Sequence, residues 1–155
     1  MRKKILYIER KTGFGLSHGG PAWIGEVEYS KSGNTVYFND MALKKLKTAE
    51  ISSNHFDIET GEEYWISGFK KNGQDRHVYG GGIIMIDEDI VQEYLEAVDF
   101  DVLDTRQFEI IKINKIFDKG RFNEIENNKV DFTGKEYSNY VMWYWDNNRR
   151  KLVLQ

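Results

Sequence analysis

The sequence of 155 residues contains no cysteine and a single proline, Pro21. Without cysteine the chain forms no disulfide, no thiolate metal site and no cysteine nucleophile, which is typical of a protein from a reducing compartment. Long apolar runs are also missing, because the stretch at residues 5–8 ends at Glu9. This run is too short for a signal peptide, and no window reaches the roughly 20 apolar residues of a membrane-spanning helix. We therefore expect a cytoplasmic, soluble protein without a membrane partner.

The chain also lacks a strong charge of either sign. Its formal net charge is −3 and its pI is about 5.7, so no overall field attracts a polyanion, and nucleic acid is not an expected partner. Hydrophobic residues make up 40% of the sequence, enough to bury one sizeable core. We therefore predict a single domain over residues 1–155.

Most of the secondary-structure pattern predicts strands. Residues 22–30 alternate between apolar and polar side chains, and the turn residues at 31–34 lead into residues 35–38, which predicts a β-hairpin. Further strands are predicted from β-branched and aromatic content. They cover residues 4–9, 63–69, 83–86 and 108–113.

Two helices are predicted, and one segment remains open. Asp87 is a good N-cap for a helix over residues 88–98, which carries one apolar stripe. A short helix is predicted at residues 121–127. Residues 41–47 form either a helix capped by Asp40 or a further strand after a turn, and we favour the helix.

These elements predict an α+β fold. Its sheet is mainly antiparallel and strongly curved, or a partly open barrel, with the main helix packed against it and short helical turns elsewhere. At the C-terminus, residues 141–145 and 151–154 flank a polar turn and predict a hairpin. An apolar edge strand at residues 140–145 could pair with its own copy, which raises the possibility of a homodimer.

The segment at residues 74–82 is the strongest candidate for a functional site, because charged side chains precede three consecutive glycines there. On an extended backbone Asp75 and His77 project to one side and Arg76 to the other. The glycines do not form a phosphate loop, because no Lys-Ser or Lys-Thr pair follows them. The three histidines lack the spacing of a zinc motif, so we expect neither a metal nor a cofactor.

Two functions follow from this pattern. The first is a small binding or interaction module for a protein or a small polar ligand, with a surface that combines the loop around residue 18 and residues 74–82. Its candidate binding residues are His18, Trp23, Asp75, Arg76, His77 and Tyr79. The alternative is a small enzyme acting on a polar or anionic small molecule, in which Asp75 orients the base His77 and Arg76 holds the anion. The sequence leaves open whether the two loops meet.

Several segments resemble a family of small, uncharacterised bacterial proteins. The resemblance covers about the first two-thirds of the chain and rests on residues 20–25 (GPAWIG), 36–39 (VYFN), 60–68 (TGEEYWISG) and 70–77 (KKNGQDRH). It implies a bacterial source and no established activity. Some relatives bear the label 1-deoxy-D-xylulose-5-phosphate synthase, a thiamine-diphosphate enzyme. We judge this label wrong, because that enzyme class is several times longer and this chain has no Gly-Asp-Gly segment to hold a magnesium diphosphate.

Overall fold

The computed structural model describes residues 2–14, 19–48, 52–76 and 82–128. Its strands are β1 (Lys3–Arg10), β2 (Ala22–Tyr29), β3 (Thr35–Phe38), β4 (Met41–Lys45), β5 (His55–Asp57), β6 (Glu63–Ser67), β7 (Ile84–Asp87) and β8 (Phe108–Ile111). Its helices are a 3-10 turn (Glu88–Ile90), α1 (Val91–Val98) and α2 (Lys119–Asn128). The C-terminal hairpin and the edge strand predicted at residues 140–145 lie outside the described residues.

The first six strands form a closed antiparallel barrel. They follow one another in the order β1-β6-β5-β4-β3-β2, and pairing of β1 with β2 closes the ring. The β2–β3 hairpin has the expected turn, in which Ser30 N donates to the Thr35 carbonyl (2.8 Å) and Gly33 adopts φ 81°. The predicted α+β fold with a mainly antiparallel, curved sheet is therefore confirmed. Closure leaves the six strands without an open edge.

Two parallel strands extend the barrel. The first part of β2, Ala22–Ile24, pairs in parallel with β7. The last part, Glu28–Tyr29, pairs with β3, so β2 belongs both to the barrel and to its extension. Strand β8 pairs in parallel with β7, and α1 connects the two. A helix between two strands is the usual connection for a parallel pair. The sequence analysis predicted a mainly antiparallel sheet and did not predict these parallel pairs.

The helix favoured at residues 41–47 is wrong. Residues 41–45 form β4, which pairs with β3 in the register Phe38↔Met41. Asn39 and Asp40 have φ values of 49° and 59°, the left-handed conformation required by a two-residue hairpin turn. Asp40 is therefore a turn residue and not a helix cap.

The main helix begins as predicted at Asp87. Asp87 Oδ1 accepts a hydrogen bond from Asp89 N (3.0 Å), and its Oδ2 lies 2.8 Å from Lys115 Nζ. The helix ends at Asp99, which adopts φ 59°. Helix α2 contains the predicted residues 121–127 and begins two residues earlier.

Among the described residues, no helix is both long enough and apolar enough to cross a bilayer.

The apolar residues form two main cores on the two faces of the barrel wall. The barrel interior contains Leu6, Ile8, Val27, Val36, Phe38, Leu43, Tyr64, Ile66 and Ile113. The outer core lies between the barrel wall and α1, and it contains Tyr7, Ala22, Ile24, Ile84, Ile86, Ile90, Tyr94, Val98 and Phe108. A smaller cluster joins Phe122 of α2 to Ala42, Phe56 and Ile58.

Candidate functional site

Three of the six predicted site residues belong to the described part of the chain. Asp75 and Arg76 lie in the connection between β6 and β7, and Trp23 lies in β2. His18, His77 and Tyr79 lie outside the described residues. The Asp75–His77 pair therefore stays a prediction.

Arg76 connects the described ends of the two predicted loops. Its Nη2 donates to the carbonyl oxygen of Gly20, which follows the His18 loop. A Cβ placed on Gly82, the last of the three consecutive glycines, would lie 3.0 Å from Arg76 Nη1. The two loops that the sequence singled out thus come together, at their described ends, around one guanidinium group.

Gly20 is required for this close approach. A side chain at this position would overlap the carbonyl oxygen of Arg10 and would lie 2.9 Å from the ring of Phe14. Only glycine lets two backbone segments come this near each other. Glycine at position 20 is therefore explained by packing at the base of the loop.

Glu9 and Lys11 form a buried charged pair at the end of β1, beside Tyr7. Glu9 is fully buried, and it accepts hydrogen bonds from Tyr7 Oη (2.5 Å) and Lys11 Nζ (2.7 Å). Tyr7 and Glu9 share one face because they are two apart on β1, and Lys11 follows directly after this strand. Burial raises the pKa of Tyr7, and its hydrogen bond to Glu9 raises it further. The Arg76 guanidinium lowers the pKa of Tyr7, since a nearby cation favours the phenolate, and this couples the β1 residues to Arg76.

We call the group formed by Tyr7, Glu9, Lys11, Gly20, Asp75 and Arg76 the Arg76 junction. Sequence reasoning missed its β1 members. The sequence does contain a pattern that points to them. Glu9 and Lys11 continue the alternation of Ile5 and Tyr7, whose side chains belong to the outer core or pack against it. Charged side chains on a core-facing strand are seldom found without a partner or a function.

Asp75 contributes a second buried carboxylate. It is 8% exposed, and its Oδ1 accepts a hydrogen bond from Lys70 N (2.8 Å). Its Oδ2 has no hydrogen-bond partner among the described residues. Burial raises the pKa of Asp75, although the hydrogen bond from Lys70 opposes this change. Because its Oδ2 has no partner among the described residues and its pKa is raised, the Asp75 carboxyl group can accept a hydrogen bond or hold a proton.

Tyr94 of α1 lies within electrostatic range of Asp75. Its side chain is fully buried, and its hydroxyl has no hydrogen-bond partner among the described residues. Burial raises the pKa of Tyr94, and the negative charge of Asp75 raises it further. The two groups are therefore close enough to interact electrostatically.

Trp23 is placed on the other face of the sheet. It lies opposite Ile8 in the β1–β2 register, and its ring meets Phe38 edge-on at 6.1 Å between centroids. Both neighbours belong to the barrel interior. Asp75 and Arg76 are thus sequence neighbours in the β6–β7 connection, with separate hydrogen-bond partners, whereas Trp23 packs against the interior core.

His55, the one histidine in the described part of the chain, is buried in β5. Its Nδ1 lies 2.8 Å from Asn54 Oδ1, and burial lowers its pKa to about 4. No group of three His, Asp or Glu side chains among the described residues is arranged to hold a metal ion. Convergence of the three histidines is not tested, since two of them lie outside those residues.

Comparison with known protein families finds no matching family, and comparison with curated proteins and with solved structures finds no match either. The function therefore has to be argued from the site.

Proposed function

We propose that the protein is a small binding module that recognises a small polar ligand at the Arg76 junction. The observation that carries this proposal is the concentration of buried ionisable groups outside the barrel interior. Glu9, Lys11 and Asp75 are each less than 9% exposed, and the guanidinium of Arg76 acts on Tyr7, which donates to Glu9. Burial of charge costs folding free energy unless each charge is paired. A protein retains such a cluster most often where it serves recognition or chemistry.

The position of the junction supports a binding role. Binding residues are common on loops that a rigid scaffold holds in place. Here the closed barrel supplies β1, and the parallel extension supplies α1. The guanidinium of Arg76 links the two loop ends to this scaffold through Gly20 and Tyr7.

The enzyme alternative has a narrower basis. Its favourable observation is the raised pKa of Asp75, a property of many catalytic carboxyl groups. One N–H group of Arg76 is used by the Gly20 carbonyl, so an anion clamp would depend on its other N–H donors. A catalytic role for Asp75 requires turnover that Asp75→Asn abolishes. A binding role requires only saturable association.

A thermal-shift screen tests the binding proposal. Small amines, carboxylic acids, phosphates and sugars are added separately to the full chain, and a ligand of the folded state raises Tm by mass action. At least one compound is expected to raise Tm in the natural protein and to lose most of this effect in Arg76→Gln.

Arg106→Gln is the matched control, because Arg106 is exposed and bonds only to Asp104 among the described residues. It should respond to ligands as the natural protein does. If no compound acts on the natural protein, or if Arg76→Gln and Arg106→Gln respond alike, the junction is not the binding site.

A further inference from the structure

The turn between β2 and β3 borders a surface cavity of about 460 Å³, a volume within the usual range for small-molecule sites. The described residues that line it are Arg2, Ser30, Lys31, Ser32 and Gly33. The turn follows the last residue of β2, whereas Gly20 and Arg76 meet before its first. A strand of this length spans roughly 26 Å. The cavity is therefore separate from the Arg76 junction, and its ligand does not depend on the function proposed there.

Arg2 is held in place beside the turn. Its carbonyl oxygen accepts a hydrogen bond from Tyr29 N (2.9 Å), and its guanidinium lies over the Tyr29 ring, 4.5 Å from the centroid. A Cβ placed on Gly33 would lie 3.8 Å from Arg2 Nη2, so the guanidinium reaches the turn. Stacking on a ring occupies the flat face of a guanidinium, while its N–H donors lie in the plane. These donors stay available to a ligand.

The two serine hydroxyls also favour a ligand that accepts hydrogen bonds. Ser30 Oγ accepts from Thr35 N (3.1 Å), and Ser32 Oγ accepts from Asn34 N (3.2 Å). The two hydroxyl oxygens lie 3.4 Å apart, so one hydroxyl proton is shared between them. Each hydroxyl has one proton to donate. The second proton is therefore left for a ligand, while both oxygens already accept a backbone amide.

The charge around the cavity is positive. Arg2 and Lys31 line it, and no acidic residue does so among the described residues. The nearest acidic residue along the chain, Glu28, precedes Tyr29 and so projects to the other face of β2, where it pairs with Lys119 (3.5 Å). The two cations at the cavity thus have no carboxylate among its lining residues.

The donor set fits a phosphate group. Phosphate carries three acceptor oxygens, and arginine binds them through parallel N–H bonds, whereas lysine contributes a compact charge. The cavity supplies one guanidinium, one ammonium and one hydroxyl donor from three different residues. We infer that this cavity binds the phosphate group of a small phosphate monoester, held by Arg2, Lys31 and a serine hydroxyl of the β2–β3 turn.

A titration of the labelled full chain with methyl phosphate, followed by NMR of the backbone amides, tests this inference. Ionic strength is kept constant with sodium chloride, because salt screens exposed charges. Saturable shifts are expected at Lys31, Ser32 and Gly33, with none at Gly20 or Lys70. Trimethyl phosphate, which has a similar shape and no charge, is expected to shift none of them.

Three variants assign the contacts. Arg2→Gln keeps the backbone bond to Tyr29 and loses the guanidinium, so it should weaken methyl phosphate binding about tenfold. Lys31→Gln should weaken it about threefold, since an exposed lysine contributes less. Lys112→Gln is the matched control, because it makes the same change of net charge at an exposed lysine after β8, and it should bind as the natural protein does.

Four results would overturn the inference. Equal binding of trimethyl phosphate would show that charge is not recognised, and unchanged binding by Arg2→Gln would remove the main contact. Equal losses in Lys31→Gln and Lys112→Gln would reduce the effect to net charge. Shifts at Gly20 and Lys70 in place of the turn would assign the phosphate to the Arg76 junction.

A vesicle experiment distinguishes a small phosphate ester from a lipid headgroup. Phosphatidylcholine vesicles that contain phosphatidic acid present the same group on a membrane surface. The natural protein is expected to bind methyl phosphate and to stay in the supernatant when these vesicles are sedimented. Sedimentation with the vesicles, without binding of methyl phosphate, would contradict a small-molecule ligand.

Discussion

Protonation of His55 is expected to destabilise the fold as pH falls. The imidazole is buried in β5, where burial is the main cause that lowers its pKa from 6.5 to about 4, and the charge of Lys45 adds to this effect. Because the unfolded chain binds a proton at higher pH than the folded chain, stability is retained above pH 6.5. It is lost progressively as pH falls from 6.5 to about 4.

The structure gives the size of this effect. A change of pKa from 6.5 to about 4 corresponds to about 3 kcal/mol of unfolding free energy, and His55 is only 6% exposed, so solvent screening is small. Asp57 and Asp75 act in the opposite direction. Burial raises the pKa of each, so their protonation on acidification favours the folded state. A comparison with a His55 variant is therefore needed to isolate the histidine.

Urea unfolding from pH 7.5 down to pH 4, followed by tryptophan fluorescence, provides the assay. In His55→Asn the side-chain amide can replace Nδ1 as the donor to Asn54, and it has no proton to gain in this range. The smaller side chain costs stability equally at every pH. The advantage of the natural protein over His55→Asn should therefore shrink by about 3 kcal/mol between pH 7 and pH 4. Parallel stability curves for the two proteins would refute the reasoning.

Two further changes test the packing around the site. Gly20→Ala should lower the unfolding free energy, measured in urea, by about 1–3 kcal/mol, because the new Cβ overlaps neighbouring atoms. Gly68→Ala places its Cβ in open space and should cost far less. Equal losses in the two variants would contradict this reasoning. Lys115→Met should cost about 1–3 kcal/mol, because it leaves the fully buried carboxylate of Asp87 without its ion-pair partner. The neighbouring exposed change Lys112→Met should be nearly neutral, and a similar loss in both lysine variants would show that the Asp87 pair is not responsible.

Local patterns predicted the elements whose signals are themselves local. Alternation and turn residues gave the β2–β3 hairpin, and the N-cap Asp87 with its apolar stripe gave the main helix. The error at residues 41–47 arose because Asp40 suits both a helix N-cap and a left-handed turn position. Residues 41–45 form a strand because they pair with β3 and β5, and the pairing with β5 depends on residues distant in the sequence.

The same limit applies to the site. Asp75 and Arg76 stood out because charge and glycine occur together around them. Glu9 and Tyr94 did not, because their importance depends on which strand and helix cover the outer core. The division of β2 between β3 and β7 creates that core, and no short segment of sequence encodes it.

Mapping a bound compound by NMR tests the ligand site most directly. A compound that raises Tm is titrated into the labelled protein, and the shifts of backbone amides are followed residue by residue. A site at the Arg76 junction predicts saturable shifts at Gly20, Lys70 and Gly82, which surround Arg76 and Asp75. Shifts centred on Phe56 and Phe122, at the α2 side of the barrel, would contradict it.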